Sequence, residues 1–254
     1  MAAHHVHHDI GQMRRSLFLF VLAAVIVAVS LGRETLRSGR ARTNEGPDTD
    51  SVTRFSTIRA DSVQAVRSLV RRRISESDTY LGYSLAEGDS ILKRWQDRRV
   101  RPLTVYFIPP GVPDVDPAME TAVRDAFTRW VRVGAIPVAF EFVRDSASAE
   151  VLVRWIRSFS FRRSGQADVV WDGEGWLVRG TLTLATHTSE GQKVTSEVVY
   201  TVALHEIGHL LGLGHSDDPD DLMYPSTSVH DLTGRDRRTA RLLYALPPGS
   251  VRDR

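Results

Sequence analysis

The sequence predicts an α+β fold, a mixed twisted sheet with helices packed on it. Three observations predict it. From Leu103 onward, segments of strand and helix character follow one another in the order β, α, β, β, β, α, which suits a mixed sheet covered by helices. The helical segments carry explicit start and stop residues. The 254 residues are 42% hydrophobic and 25% charged, a globular balance large enough for one sizeable domain with additional segments.

The elements follow in chain order. Residues 1–16 read as an N-terminal tail, and the cluster His4, His5, His7 and His8 has no other ligand type or turn chemistry beside it. Residues 17–31, LFLFVLAAVIVAVSL, are uncharged and preceded by Arg14 and Arg15. That pattern is either a cleaved signal peptide or a single retained membrane anchor, and both place the rest of the chain outside the cytoplasm, secreted or membrane-attached. Residues 32–58 lack an apolar period and read as a linker. Residues 59–91 read as a helical spacer or pro-segment. Within them, Val63, Val66, Leu69, Val70 and Ile74 recur at helical spacing, with Arg67, Arg71, Arg72 and Arg73 between them.

The compact domain is expected over residues 92–254. Leu103–Pro109 is a strand by its β-branched and aromatic content. Asp116-Pro117 opens a helix, as cap and first-turn proline, whose apolar face is Met119, Val123, Phe127, Trp130 and Val131 up to Gly134. Strands are expected at Val138–Val143, Ala149–Ile156 and Gly175–Thr186, and a long helix at about Glu197–Leu211.

Composition limits the chemistry. There is no cysteine, so disulfides, thiolate metal ligands and a cysteine nucleophile are excluded. The formal net charge is +2, which implies no general attraction to nucleic acid. Residues 201–231 hold six acids and no Lys or Arg, a setting that suits a cation better than a phosphate.

That acidic region carries the chain's most informative stretch, HEIGHLLGLGHSDDPDDLMYP, from His205 to Pro225. His205 and His209 are four apart, so a helix places both imidazoles on one face. Gly212 takes the left-handed conformation that ends a helix at no steric cost, and His215 can then return toward the same point. Three neutral imidazoles without thiolate fit one catalytic Zn2+ with an open fourth position. Glu206, beside His205 and not needed as a ligand, is placed to act as general base on a water and to return the proton to a leaving amine. The chemistry described is amide hydrolysis with water as the direct nucleophile. Two other functions fit the same residues: a zinc-containing peptide-binding module with weak turnover, and a zinc hydrolase of non-peptide amides or esters.

The spacing His205-Glu206-x-x-His209-x-x-Gly212-x-x-His215, followed by Met223, resembles the metzincin zinc peptidases. Ser216 and Leu222–Pro225 resemble the matrixin branch, which includes the matrix metalloproteinases, and a looser likeness covers Trp95–Tyr244. The resemblance implies a zincin-like catalytic domain with an active-site helix and a C-terminal helix, the latter within DLTGRDRRTARLLYAL. It implies that Met223 lies in a turn beneath the metal, and that Tyr224 and Pro225 wall the pocket for the residue after the scissile bond. A protein or peptide substrate would lie extended on an edge strand, for which Gly180–Leu184 is the candidate, with an ordinary interior strand as the alternative. Matrixin latency uses a propeptide cysteine, which this chain lacks. A second, structural zinc is poorly provided for, since only His187 lies upstream. Ca2+ would draw on Asp168, Asp172 and Glu174, which also read as a plain polar loop. Asp236 keeps one of two acids that the family often places in the last helix, and Arg235 replaces the other. The protein is expected to be monomeric.

Overall fold

Four of the five strands of the main sheet run in one direction, and the fifth runs against them. A computed structural model describes residues 49–252, and from Asp50 onward these belong to one compact unit. In chain order the elements are α1 (Thr49–Ser75), α2 (Leu81–Glu87), β1 (Ile91–Leu92), β2 (Arg98–Phe107), α3 (Pro117–Gly134), β3 (Val138–Phe142), β4 (Val151–Ile156), β5 (Gly165–Trp171), β6 (Leu177–Ala185), α4 (Ser196–Leu210), α5 (Gly234–Ala245) and β7 (Gly249–Ser250). The five-stranded sheet has the order β3-β2-β4-β6-β5. The β2–β3, β2–β4 and β4–β6 pairs are parallel, and β5 is antiparallel to β6. β1 and β7 form a separate two-stranded ladder. This is the expected α+β class, with the helices on a mixed sheet.

Alternation explains the sheet's inner face. Val151, Val153 and Trp155 of β4 are buried, and the residues between them are not. β6 is buried almost continuously from Gly180 to Ala185, as befits a strand with neighbours on both sides and helix packing. Of the two readings the sequence left open for Gly180–Leu184, the structure shows the ordinary interior strand, and the edge on this side of the sheet is β5. The sequence predicts no strand at Gly165–Trp171, because Gln166, Ala167 and Asp168 break the β-branched, alternating pattern and the segment follows a serine- and arginine-rich loop.

α3 begins as its sequence demands. The Asp116 carboxylate accepts from the Met119 N–H at 3.0 Å, and Pro117 occupies the first helical position. Its inner face, Met119, Val123, Phe127 and Trp130, is fully buried, whereas Val131 is exposed. α1 extends upstream of the expected helix. Along its apolar stripe, only Val70 and Ile74 enter the core; Val63, Val66 and Leu69 are exposed.

α4 carries the motif helix and is tied down at both ends. Thr195 caps its start by accepting from the Val198 N–H. At the other end Leu213 N–H reaches Gly208 O at 3.0 Å and Gly212 N–H reaches His209 O at 2.9 Å, the paired bonds of a Schellman termination. The indole N–H of Trp95 donates to Leu210 O at 2.8 Å, and the Tyr244 hydroxyl donates to Leu211 O at 3.1 Å. The terminal carbonyls that a helix leaves orphaned are thus satisfied in the core.

Gly212 makes this ending possible in two ways. Its φ is +98°, and a Cβ added there would lie 2.0 Å from the Lys93 carbonyl oxygen. Gly212→Ala is therefore expected to cost more than about 3 kcal/mol in urea unfolding, combining a left-handed penalty of about 1–2 kcal/mol with displacement of backbone. Gly191→Ala has a similar φ of +86° but nothing within 4 Å, and should lose only about 1–2 kcal/mol. Equal losses at the two positions would show that contact with Lys93 contributes nothing.

Candidate active site

His205 and His209 stand one turn apart on α4, and the turn at Gly212 brings His215 back to them. The three Nε2 atoms converge: His209 Nε2 is 3.1 Å from that of His205 and 3.2 Å from that of His215. Among the described residues, this is the one group of three potential ligands close enough to hold an ion. The chemistry of these atoms follows from what lies behind them. His205 Nδ1 lies 2.8 Å from Leu222 O, and His209 Nδ1 lies 2.8 Å from Leu213 O. A carbonyl only accepts, so both Nδ1 atoms carry the proton and both Nε2 atoms present a lone pair. Two bare lone pairs at 3.1 Å cannot hydrogen-bond each other, and only a cation among them makes the approach favourable. Tetrahedral ligation at Zn–N distances of 2.0–2.1 Å spaces nitrogens about 3.3 Å apart, so the donor set fits Zn2+.

Desolvation favours the neutral form of the His205 and His215 rings. Desolvation lowers the pKa of His205, opposed by its bond to Leu222 and by the Asp236 charge. His215, the most solvent-exposed of the three, is lowered to about 4 by desolvation and then by His205.

Glu206 retains partial contact with solvent while protein surrounds most of it. Desolvation pushes its carboxyl up to about 7. The Ala167 N–H donated to it and the Arg163 charge oppose that rise, and Asp168 adds to it. The packing on this side is close: a Cβ built on Gly165 would lie 2.7 Å from Glu206 Cγ and 2.5 Å from Val202 Cγ1. The start of the edge strand β5 thus lies directly against the acid. Neither Gly165 nor Ala167 is marked in the sequence, since one contributes only the lack of a side chain and the other only a backbone amide.

Met223 is fully buried, and a Cβ on Gly208 of α4 would come within 2.4 Å of its sulfur. Its thioether therefore lies against the helix between the His205 and His209 positions. Tyr224 follows half-buried, and Pro225 is exposed.

The turn before Met223 is held by buried charge. Asp236, with no exposure, receives Leu222 N–H at 3.1 Å, Met223 N–H at 3.3 Å, Thr233 N–H at 2.9 Å and the Tyr80 hydroxyl at 3.1 Å. The Thr233 hydroxyl sits between the Asp236 and Asp221 carboxylates, 2.8 and 2.9 Å away, and closes a capping box at the start of α5. Arg235 donates to Asp221, Asp217 and the Ser216 hydroxyl, so the residue after His215 is joined to α5. The T-x-x-D spacing at Thr233 was a legible signal for the box, whereas the partnership of Asp221 with Arg235 was not.

Among the described residues, the alternative Ca2+ and second-zinc groups do not converge, in keeping with the plain polar loop that the sequence favours. The Asp172 carboxylate accepts from Glu174 N–H at 3.0 Å and Trp176 N–H at 2.9 Å, an ordinary turn before β6, and Asp168 accepts from the Gln166 side chain on β5. His187 is buried, its Nδ1 2.9 Å from the Thr186 hydroxyl and its Nε2 4.0 Å from Asp114.

The model of the family described as Matrixin matches residues 95–245. The chain is 30% identical over 177 residues to Metalloendoproteinase 1 of Glycine max, covering 62% of this chain and 54% of that protein. It is 35% identical over 153 residues to Metalloendoproteinase 1-MMP of Arabidopsis thaliana, covering 51% of this chain and 39% of that protein. With Matrix metalloproteinase-20 of Homo sapiens, identity is 34% over 128 residues, 44% of this chain and 23% of that protein. The chain thus spans about half, or less, of the length of these relatives. Since the family match runs over more than half of its residues, the chain belongs to the matrixin family.

Proposed function

We propose that the protein is a zinc-dependent metalloendopeptidase that cleaves peptide bonds with water as the nucleophile. The observation that carries the reading is the convergence of three imidazole Nε2 atoms, those of His205 and His209 bearing lone pairs, with Glu206 beside His205 on α4 and not among the ligands. His205, His209 and His215 would hold the ion. When bound, Zn2+ supplies Lewis acidity, making water acidic near neutral pH and polarising the scissile carbonyl. Glu206 accepts the water's proton at its carboxylate and delivers it to the leaving amine. The Ala167 amide orients that carboxylate, and Gly165 lets the strand approach it. Met223 supports α4 from below, and Tyr224 and Pro225 wall the site beyond it.

A peptide in extended form suits β5, which pairs with β6 along one side and, among the described residues, with no strand along the other. Membership of the matrixin family and similarity to proteins named metalloendoproteinases support the reading. The segment 17–31 lies outside the described residues, and among the described residues no helix is long and apolar enough to cross a membrane. A location outside the cytoplasm, secreted or anchored by that segment, is part of the proposal and rests on the sequence pattern. A monomeric state is proposed as well.

Full-length protein should cleave a denatured protein substrate, and a chelator should abolish the cleavage. Glu206→Gln is expected to lose roughly 10²–10⁴-fold in kcat while retaining one zinc per chain by metal analysis. His209→Ala should lose the metal itself. Cleavage that survives Glu206→Gln, or native protein without zinc, defeats the proposal. Gly165→Ala is expected to lower kcat at least tenfold with zinc content unchanged, because the added methyl displaces Glu206 and leaves the imidazoles in place. Wild-type turnover in this variant would mean that the contact between β5 and Glu206 is unimportant.

A further inference from the structure

The carbonyls that take the Nδ1 protons of His205 and His209 belong to Leu222 and Leu213, and one piece of chain supports both from behind. On the first side, the Tyr80 hydroxyl donates to Asp236 Oδ1 at 3.1 Å, and Asp236 receives the amides of Leu222 and Met223. Tyr80 is itself anchored, its N–H 3.3 Å from the Thr239 hydroxyl within α5. The path from Tyr80 to His205 therefore runs through one carboxylate and one peptide unit. On the second side, a Cβ on Gly212 would lie 2.0 Å from Lys93 O, and one on Gly214 would lie 2.1 Å from Ser84 Oγ. The loop that presents Leu213 O rests directly on Ser84 and Lys93. Between these two points of support, Tyr80, Leu81 and Leu92 are buried in the same core as α4.

We propose that Tyr80–Lys93 is a permanent strut of the metal site, not a segment whose removal activates the enzyme, and that Tyr80 is a positioning residue for His205 acting through Asp236. The proposal rests on the reading of the three histidines as ligands of one ion. An imidazole keeps its tautomer and orientation through the acceptor at its second nitrogen, and losing such a partner typically weakens metal binding ten- to a hundredfold. Tyr80 acts one step further back, so its hydroxyl should matter by roughly three- to tenfold. Ser84 and Lys93 work by contact, holding the Leu213 carbonyl where the His209 ring needs it.

The test uses the full chain loaded with one equivalent of zinc. Zinc transfer to a chromophoric chelator, amide exchange at Leu222 and Met223, and steady-state kinetics are compared in wild type, Tyr80→Phe, Ser84→Val and Val138→Ala. Ser84→Val presses on Gly214 without deleting a hydrogen bond, and decides the matter if Tyr80→Phe does not fold. Val138→Ala thins the core at β3, the opposite sheet edge from β5. Tyr80→Phe is expected to release zinc three- to tenfold faster, to exchange the Met223 amide faster, and to lower kcat with KM within twofold. Ser84→Val should also release zinc faster. Val138→Ala, with at least as large a fall in Tm, should release it within twofold of the wild-type rate. Zinc release within twofold of wild type in both strut variants, or equal acceleration in Val138→Ala, overturns the proposal while leaving the ligand reading intact. A wild-type chain that binds no zinc overturns both.

Discussion

Asp236 is a carboxylate with no exposure to solvent, and it exists in that state because donors from three parts of the chain surround it. A buried charge is costly unless its oxygens are hydrogen-bonded. Here the Tyr80 hydroxyl, the Leu222 and Met223 amides and the Thr233 amide and hydroxyl satisfy it. The same constraint locates everything around it. It starts α5, fixes the turn that carries Met223, and so places the Leu222 carbonyl at the Nδ1 of His205. The histidine cluster is therefore held by hydrogen bonds that end on backbone atoms, with the imidazoles only the last link.

The site has two supports of different physical kinds. Charge and hydrogen bonds brace the Met223 side, where Asp221, Asp236 and Arg235 share one network with Ser216 and Thr233. Close packing braces the opposite side, where Gly212 and Gly214 admit Lys93 and Ser84 at distances that any side chain would prevent. Hydrogen bonds set direction and packing sets position, and converging imidazoles need both. The acid is supported in a third way, by an edge strand that offers one amide and one missing side chain. On the proposed reading, the strand that would receive a peptide is also the strand packed against Glu206, so substrate position and the proposed proton acceptor would share one element.

A good part of the fold was legible. The capped helix at Pro117–Gly134, the strands β3, β4 and β6 and the motif helix are where their patterns place them. The strand order was not legible, nor was β5. Its Gln, Ala and Asp do not alternate, and its status as the edge depends on which partners the other strands take. The upstream helix also misled in part, since helical spacing marks a face but not what lies against it. Val70 and Ile74 find the core, and Val63 and Val66 do not.

What the sequence by itself determined is local. Histidines four apart share a helix face and a glycine permits a left-handed turn, each read from neighbours within about ten residues; composition adds only that the lack of cysteine removes whole classes of chemistry. The tertiary structure alone decided which carbonyls would fix the imidazole tautomers, which strand would border the site, and that Tyr80 would reach Asp236 across 156 positions of chain. Those contacts depend on how separate elements dock, and no spacing of residues along the chain encodes a meeting at that distance.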